Sequence, residues 1–208
     1  MDNLPTTSYA ILGQLALRPW TTYELAREIR RNFHYFWPRA ESGIYAEVKR
    51  LAARGLATAE LTYVGKRARK TYSITPAGRA AFDTWMATPV KAHALEFEGL
   101  LRVFFAPLGT RDELMSALRQ VEEDAAELLD LAPRIRAEYL AGRAPFQEHL
   151  HIRAFVYDFL LNYARLVHDW SARTQAEVAS WGDLSPDGKR ERALAIFQES
   201  IKTPPPPE

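Results

Sequence analysis

Apolar positions in this chain recur mostly at steps of three and four, so most of the elements it predicts are helices. Ile11, Leu12 and Leu15 mark a first helix over residues 8–17, with Thr6 or Thr7 as its cap. Arg18-Pro19-Trp20 breaks it. Thr21-x-x-Glu24 has capping-box spacing and opens a second helix from Tyr23 to about Asn32, with Leu25 and Ile29 inward and Arg27, Arg30 and Arg31 outward. Ile44, Val48 and Leu51 stripe a third helix within residues 39–54. Its opposite side holds Ser42, Ala46, Lys49 and Ala53, with Tyr45 and Arg50 on the flanks, and Gly55-Leu56 is a C-terminal stop. The period then falls to two. Leu61 and Tyr63, then Tyr72 and Ile74, predict two strands joined by a hairpin whose tip carries Lys66, Arg67, Arg69 and Lys70. Thr75 as N-cap and Pro76 at the first helical position start a fourth helix, which carries Phe82, Trp85 and Met86 and closes before Thr88-Pro89.

Helical spacing returns beyond residue 90. A short helix is expected within 91–105, followed by a turn and a second capping box, Thr110-x-x-Glu113. Leu114, Leu118, Val121, Ala125, Leu128, Ala132, Ile135 and Tyr139 then alternate four and three, a coiled-coil seam in which Pro133 is expected to kink the helix. A turn at 142–145 leads to another helix, with Pro145 at its first position and a seam of Ile152, Val156, Phe159, Tyr163, Leu166 and Trp170. Two long seams on a short turn make an antiparallel pair. Phe155, Leu160 and Val167 widen the second stripe beyond what one pair can cover, so a second copy of the chain is the expected partner. A last helix spans 190–201, and the proline run of 203–208 is expected to be a disordered tail.

Composition narrows the function. The chain has 208 residues and no cysteine, which removes disulfides, thiolate metal sites and a cysteine nucleophile and fits a reducing, cytoplasmic setting. No apolar run is long enough to span a bilayer, and the first residues lack the basic start and cleavage site of a signal peptide. Residues 1–90 carry 13 Lys and Arg against 7 Asp and Glu, and 91–208 carry 14 against 19, so a net charge of +1 hides a basic front and an acidic back. Only the front half suits a polyanion.

Three helices followed by a basic hairpin is the order of a winged helix-turn-helix, whose third helix enters the major groove while the wing reaches phosphates or the minor groove. Small residues on the outer face of the third helix permit close approach, and its Ser, Tyr, Lys and Arg can donate to phosphates and base edges. A second reading keeps the fold but makes it a protein-binding scaffold without specific DNA binding; a cationic wing beside a basic helix face argues against it. Asn32 to Pro38 packs four aromatics beside His34. Phe33, Phe36 and Trp37, with Phe97 and Phe104, would wall a pocket for a small apolar or aromatic effector, although packing is the commoner fate of such rings. His149 and His151 point to different sides of a helix, and no phosphate loop, nucleophile elbow or zinc-protease motif occurs, so neither enzyme, metal nor cofactor is expected.

Ser42-Gly43-Ile44-Tyr45, Lys49-Arg50-Leu51 and Gly55-Leu56, with Gly65-Lys66-Arg67-Ala68-Arg69-Lys70-Thr71-Tyr72 and Ile74-Thr75-Pro76-Ala77-Gly78, resemble the PadR family of transcriptional regulators. Tyr23-Glu24-Leu25 matches the start of that family's second helix, and Phe36-Trp37-Pro38-Arg39 resembles its longer, AphA-like members. Ala40 and Glu41 depart from the pattern, standing where serine and proline are usual. The resemblance implies a homodimer on a two-fold operator, usually as a repressor. The expected fold is mainly α: a winged helix-turn-helix domain with a two-stranded wing over 1–90 and an antiparallel long-helix dimerisation domain over 91–202. Candidate DNA contacts are Tyr23, Arg39, Ser42, Gly43, Tyr45, Ala46, Lys49, Arg50, Lys66, Arg67, Arg69 and Lys70. Candidate dimer contacts are Leu114, Leu118, Val121, Leu128, Ile152, Val156, Phe159, Tyr163, Leu166 and Trp170.

Overall fold

The computed structural model describes residues 4–37, 41–64, 67–92 and 94–201, and the chain divides into two compact units, Met1–His93 and Ala94–Glu208. The first unit holds α1 (Thr6–Leu17), β1 (Trp20–Thr21), α2 (Thr22–Phe33), α3 (Glu41–Ala53), β2 (Ala57–Val64), β3 (Arg67–Ile74) and α4 (Pro76–Met86). Its core is made by the stripes the spacing marks. Ile11 and Leu12 of α1, Leu25 of α2, and Ile44, Val48 and Leu51 of α3 are fully buried, with Tyr72 of β3 beneath them.

The described helix ends of this unit follow local chemistry, with one exception. Thr21 and Glu24 form both halves of the capping box on α2. Thr75 caps α4, its hydroxyl accepting from Gly78 N–H at 3.0 Å while donating to the Gly55 carbonyl at 2.7 Å. α3 stops where Gly55 turns left-handed (φ 71°) and Leu56 N–H reaches back to the Leu51 carbonyl at 3.0 Å. The exception is α1, which neither Thr6 nor Thr7 caps. Pro5 stands at the cap, without a side-chain bond, and both threonines are inside the helix.

The sheet has three antiparallel strands in the order β1-β3-β2, one more than the sequence predicts. Trp20 pairs with Tyr72 and Thr21 with Thr71, so the segment that ends α1 also seals the wing to the helices. Trp20 is buried there, donating Nε1–H to the Gln14 carbonyl at 2.8 Å, with the Arg18 guanidinium 3.4 Å above its ring. The β2–β3 register runs from Ala57 opposite Ile74 to Val64 opposite Arg67. Arg67, Arg69 and Lys70 therefore belong to a strand rather than to a loop tip, because their backbones are spent on pairing with β2. α4 packs back on α1 through Tyr9 and Trp85, stacked at 4.9 Å.

The second unit holds α5 (Glu98–Phe104), α6 (Arg111–Leu140), α7 (Leu150–Ala179) and α8 (Arg190–Ile201), with short 3₁₀ turns at Ala106–Leu108 and Gln147–His149. Thr110 and Glu113 form the second capping box, and α6 runs on through Pro133. Pro145 does not open α7: Phe146 takes a left-handed conformation (φ 60°) and a 3₁₀ turn intervenes. α6 and α7 lie antiparallel. At one end Arg111 donates to the Val178 and Ala179 carbonyls at 3.1 and 2.9 Å, and towards the other the Tyr157 hydroxyl donates to the Ala132 carbonyl at 2.9 Å. The whole is a mainly α protein, with a winged helix-turn-helix first and a long-helix pair after it.

The α6 seam is buried inside its own chain. Leu114, Leu118, Val121 and Leu128, expected between two copies, are covered here, with Val178 and Trp170 packed on the first two. The side of α7 turned to α6 is not its richest apolar stripe. It is built of Leu161, Ala164, Ser171 and Val178, whose smaller members let the larger leucines of α6 sit close. Ile152, Val156, Phe159 and Leu166 are left exposed in consequence, with Phe155 beside them at 73% exposure.

Candidate nucleic-acid interface

α2, α3 and β3 meet around an open notch of about 560 Å³ lined by Thr21, Thr22, Tyr23, Glu24, Arg27, Tyr45, Arg69 and Lys70. The capping box places the N-terminus of α2 here, the end of a helix whose dipole favours an anion. Tyr23 opens outward, 64% exposed, with Arg27 stacked 5.7 Å from its ring. Tyr45 comes from the flank of α3, and the strand backbone carries Arg69 and Lys70 to the same rim.

Glu24 is the acidic exception in this notch. The Thr21 hydroxyl and backbone N–H hold its carboxyl below the usual range, and the charges of Arg18 and Arg69 push the same way. It is therefore ionised at neutral pH, its Oε2 accepting from both the Thr21 hydroxyl and the Thr21 backbone N–H. Arg27, Arg69 and Lys70 still leave the notch net positive. Phenol and hydroxyl donors beside three cations suit a phosphodiester.

The structure brings four of the expected contacts together: Tyr23, Tyr45, Arg69 and Lys70. Gly43, Ala46, Lys49 and Arg50 follow on the exposed side of α3, and open space surrounds Gly43. Arg39 and Lys66 lie outside the described residues, as do the side chains of Ser42 and Arg67. Thr22 and Arg27 were not singled out by the sequence as contacts. The Thr21-x-x-Glu24 signature could have found them, since it marks the helix end that faces the notch.

The aromatic set is drawn from both units. Phe33 and Phe36 pair at 5.6 Å in the first unit, near a half-buried Trp37. In the second, Phe97 meets Trp170 at 6.3 Å, and Phe104 stands 75% exposed, edge-on to Phe105 at 5.1 Å. Among the described residues no group of His, Asp and Glu is placed to hold a metal ion, and no helix is long and apolar enough to cross a membrane.

The model of the Transcriptional regulator PadR-like family matches residues 11–84. No curated protein matches the chain. Among solved structures, Bacillus subtilis PadR in complex with operator DNA aligns with a TM-score of 0.71 at 22% identity, covering 84% of this chain and 99% of that one. Bacillus subtilis PadR in complex with p-coumaric acid gives 0.62 at 22% identity, covering 85% and 100%. The Vibrio cholerae virulence activator AphA gives 0.64 at 23% identity, covering 84% and 98%. At these identities the structures speak for the fold, and the family match speaks for the first unit. Residues 11–84, the span of the winged-helix domain, are thus similar to the PadR-like family of transcriptional regulators.

Proposed function

We propose that the chain is a homodimeric repressor that binds a two-fold operator in the cytoplasm. The observation that carries this reading is the notch, where Tyr23, Tyr45, Arg69 and Lys70 stand together. The exposed stripe of α7 supports the pairing: a lone copy would leave Ile152, Phe155, Val156, Phe159 and Leu166 in water, whereas an isologous contact covers them twice. The operator complex of Bacillus subtilis PadR supports the choice of DNA as partner.

The test is selection of bound duplexes from a random pool, followed by gel shift over a salt series. Alanine at Lys66, Arg67, Arg69 and Lys70 together should lower affinity for all duplexes and flatten the salt dependence by roughly 0.9 per lost phosphate contact. Alanine at Lys49 or Tyr45 should instead relax sequence preference. Unchanged affinity in the quadruple variant would overturn the reading and favour a protein-binding role.

A small apolar or aromatic effector belongs to the same proposal. Its support is the p-coumaric acid complex of the Bacillus subtilis protein and the supply of rings at Phe33, Phe36, Trp37, Phe97 and Phe104. A thermal-shift panel of phenolic acids tests it: at least one should stabilise the chain and release it from DNA.

A further inference from the structure

Glu47 is out of place on its helix. α3 turns Ile44, Val48 and Leu51 fully inward, and Glu47 lies among them at 5% exposure. A carboxylate is kept out of water only where it is paired and hydrogen-bonded. Here Ser8 of α1, itself fully buried, donates its hydroxyl to Glu47 Oε1, and the Arg50 guanidinium donates to Oε2.

The two ends of this ion pair lie in different surroundings. The Glu47 side chain is 6% exposed and the Arg50 side chain 57%. One edge of the guanidinium is thus held from inside while its other donors face solvent, on the side of α3 that carries Ala46 and Lys49. A free arginine acts as a mobile counter-ion. One held by a fixed carboxylate presents a planar set of donors in one direction, as recognition of a base edge requires. Ordinary surface pairs do not achieve this: Glu98 and Arg102 are both largely exposed and lack a buried anchor.

We propose that Glu47 is a positioning residue. Anchored to α1 through Ser8, it aims Arg50 so that Arg50 discriminates between sequences instead of merely adding charge. This rests on the DNA-binding reading above.

The experiment uses the full chain, a duplex selected from a random pool and a scrambled duplex of equal length. Wild type, E47Q, R50A and the double variant are compared by gel shift, with thermal melts as fold controls. E47Q should lower affinity for the selected duplex about tenfold, the modest end of discrimination by an arginine on a base edge, and leave the scrambled one nearly unchanged. R50A should lower the ratio of the two by a similar factor, and the double variant should go no further, because both changes remove one device. A purely structural Glu47 would lower both affinities together and keep their ratio, which overturns the proposal. So would losses that multiply in the double variant. If E47Q fails to fold, R50A decides alone: a full ratio in R50A overturns the proposal. Wild type that shows no preference for its selected duplex overturns the DNA reading and this inference with it, whereas wild-type preference retained in E47Q overturns this inference alone.

Discussion

Ser8 and Glu24 show how single polar groups set the terms of the first unit. Ser8 is fully buried yet keeps a hydroxyl because a buried carboxylate waits across from it. S8A removes a donor from a charged acceptor that cannot recover it from water, and should cost about 1–3 kcal/mol in urea unfolding. Glu24 makes a milder and pH-dependent contribution. Its carboxyl titrates below the ordinary value of 4.5, chiefly because the Thr21 hydroxyl and N–H hold the ionised form. A depressed folded value stabilises the fold above the unfolded value, and that contribution is lost as pH falls through the folded one. The stability gap between wild type and E24Q should therefore be present at pH 7, stay within about 1 kcal/mol for so open a site, and close below pH 4.5. A gap that persists into stronger acid would contradict the assignment. Neither Ser8 nor Glu47 stood out in the sequence, since a buried serine and a carboxylate one turn from an arginine look like ordinary helix positions until two helices cross.

Helix ends were legible because capping is local. Thr21 with Glu24, Thr110 with Glu113, and Thr75 before Pro76 each act within four residues, and each is realised. What depends on distant pairing was not legible. β1 is only Trp20–Thr21, and nothing in those residues announces that Tyr72 and Thr71 will pair with them. Which face of α7 packs on α6 was not legible for a related reason. Apolar content picks out a stripe, but the stripe that packs is the one whose sizes fit the neighbouring helix, and Ala164 and Ser171 fit α6 better than Phe159 does. Two substitutions probe these elements. A Cβ at Gly78 would lie 2.0 Å from the Leu56 carbonyl oxygen, so G78A should force α4 away from the base of the wing and cost about 2 kcal/mol. Leu118 is fully buried against Leu114 and Val178, and L118A should cost roughly 2–5 kcal/mol in the second unit, read by its own unfolding transition.

The charge asymmetry puts the basic excess in the unit where the notch forms and the acidic excess in the unit of the long helices. The proposed pairing is tested at this scale. Phe159 is 60% exposed and stacks on Tyr163 of its own helix, at 6.4 Å. F159E should leave helix content and melting of the first unit intact while shifting sedimentation from two copies to one. It should also weaken operator binding far more than any change at a single notch residue, because two half-sites are then engaged separately. The uncovered flank of α7 has a consequence for supply as well. If two copies pair as proposed, a newly made one carries the five exposed apolar side chains Ile152, Phe155, Val156, Phe159 and Leu166 until it is paired, the kind of surface that chaperones and proteases recognise. Unmated subunits should then be cleared faster than paired ones, so the cellular level of the protein would respond to its own synthesis more steeply than in proportion.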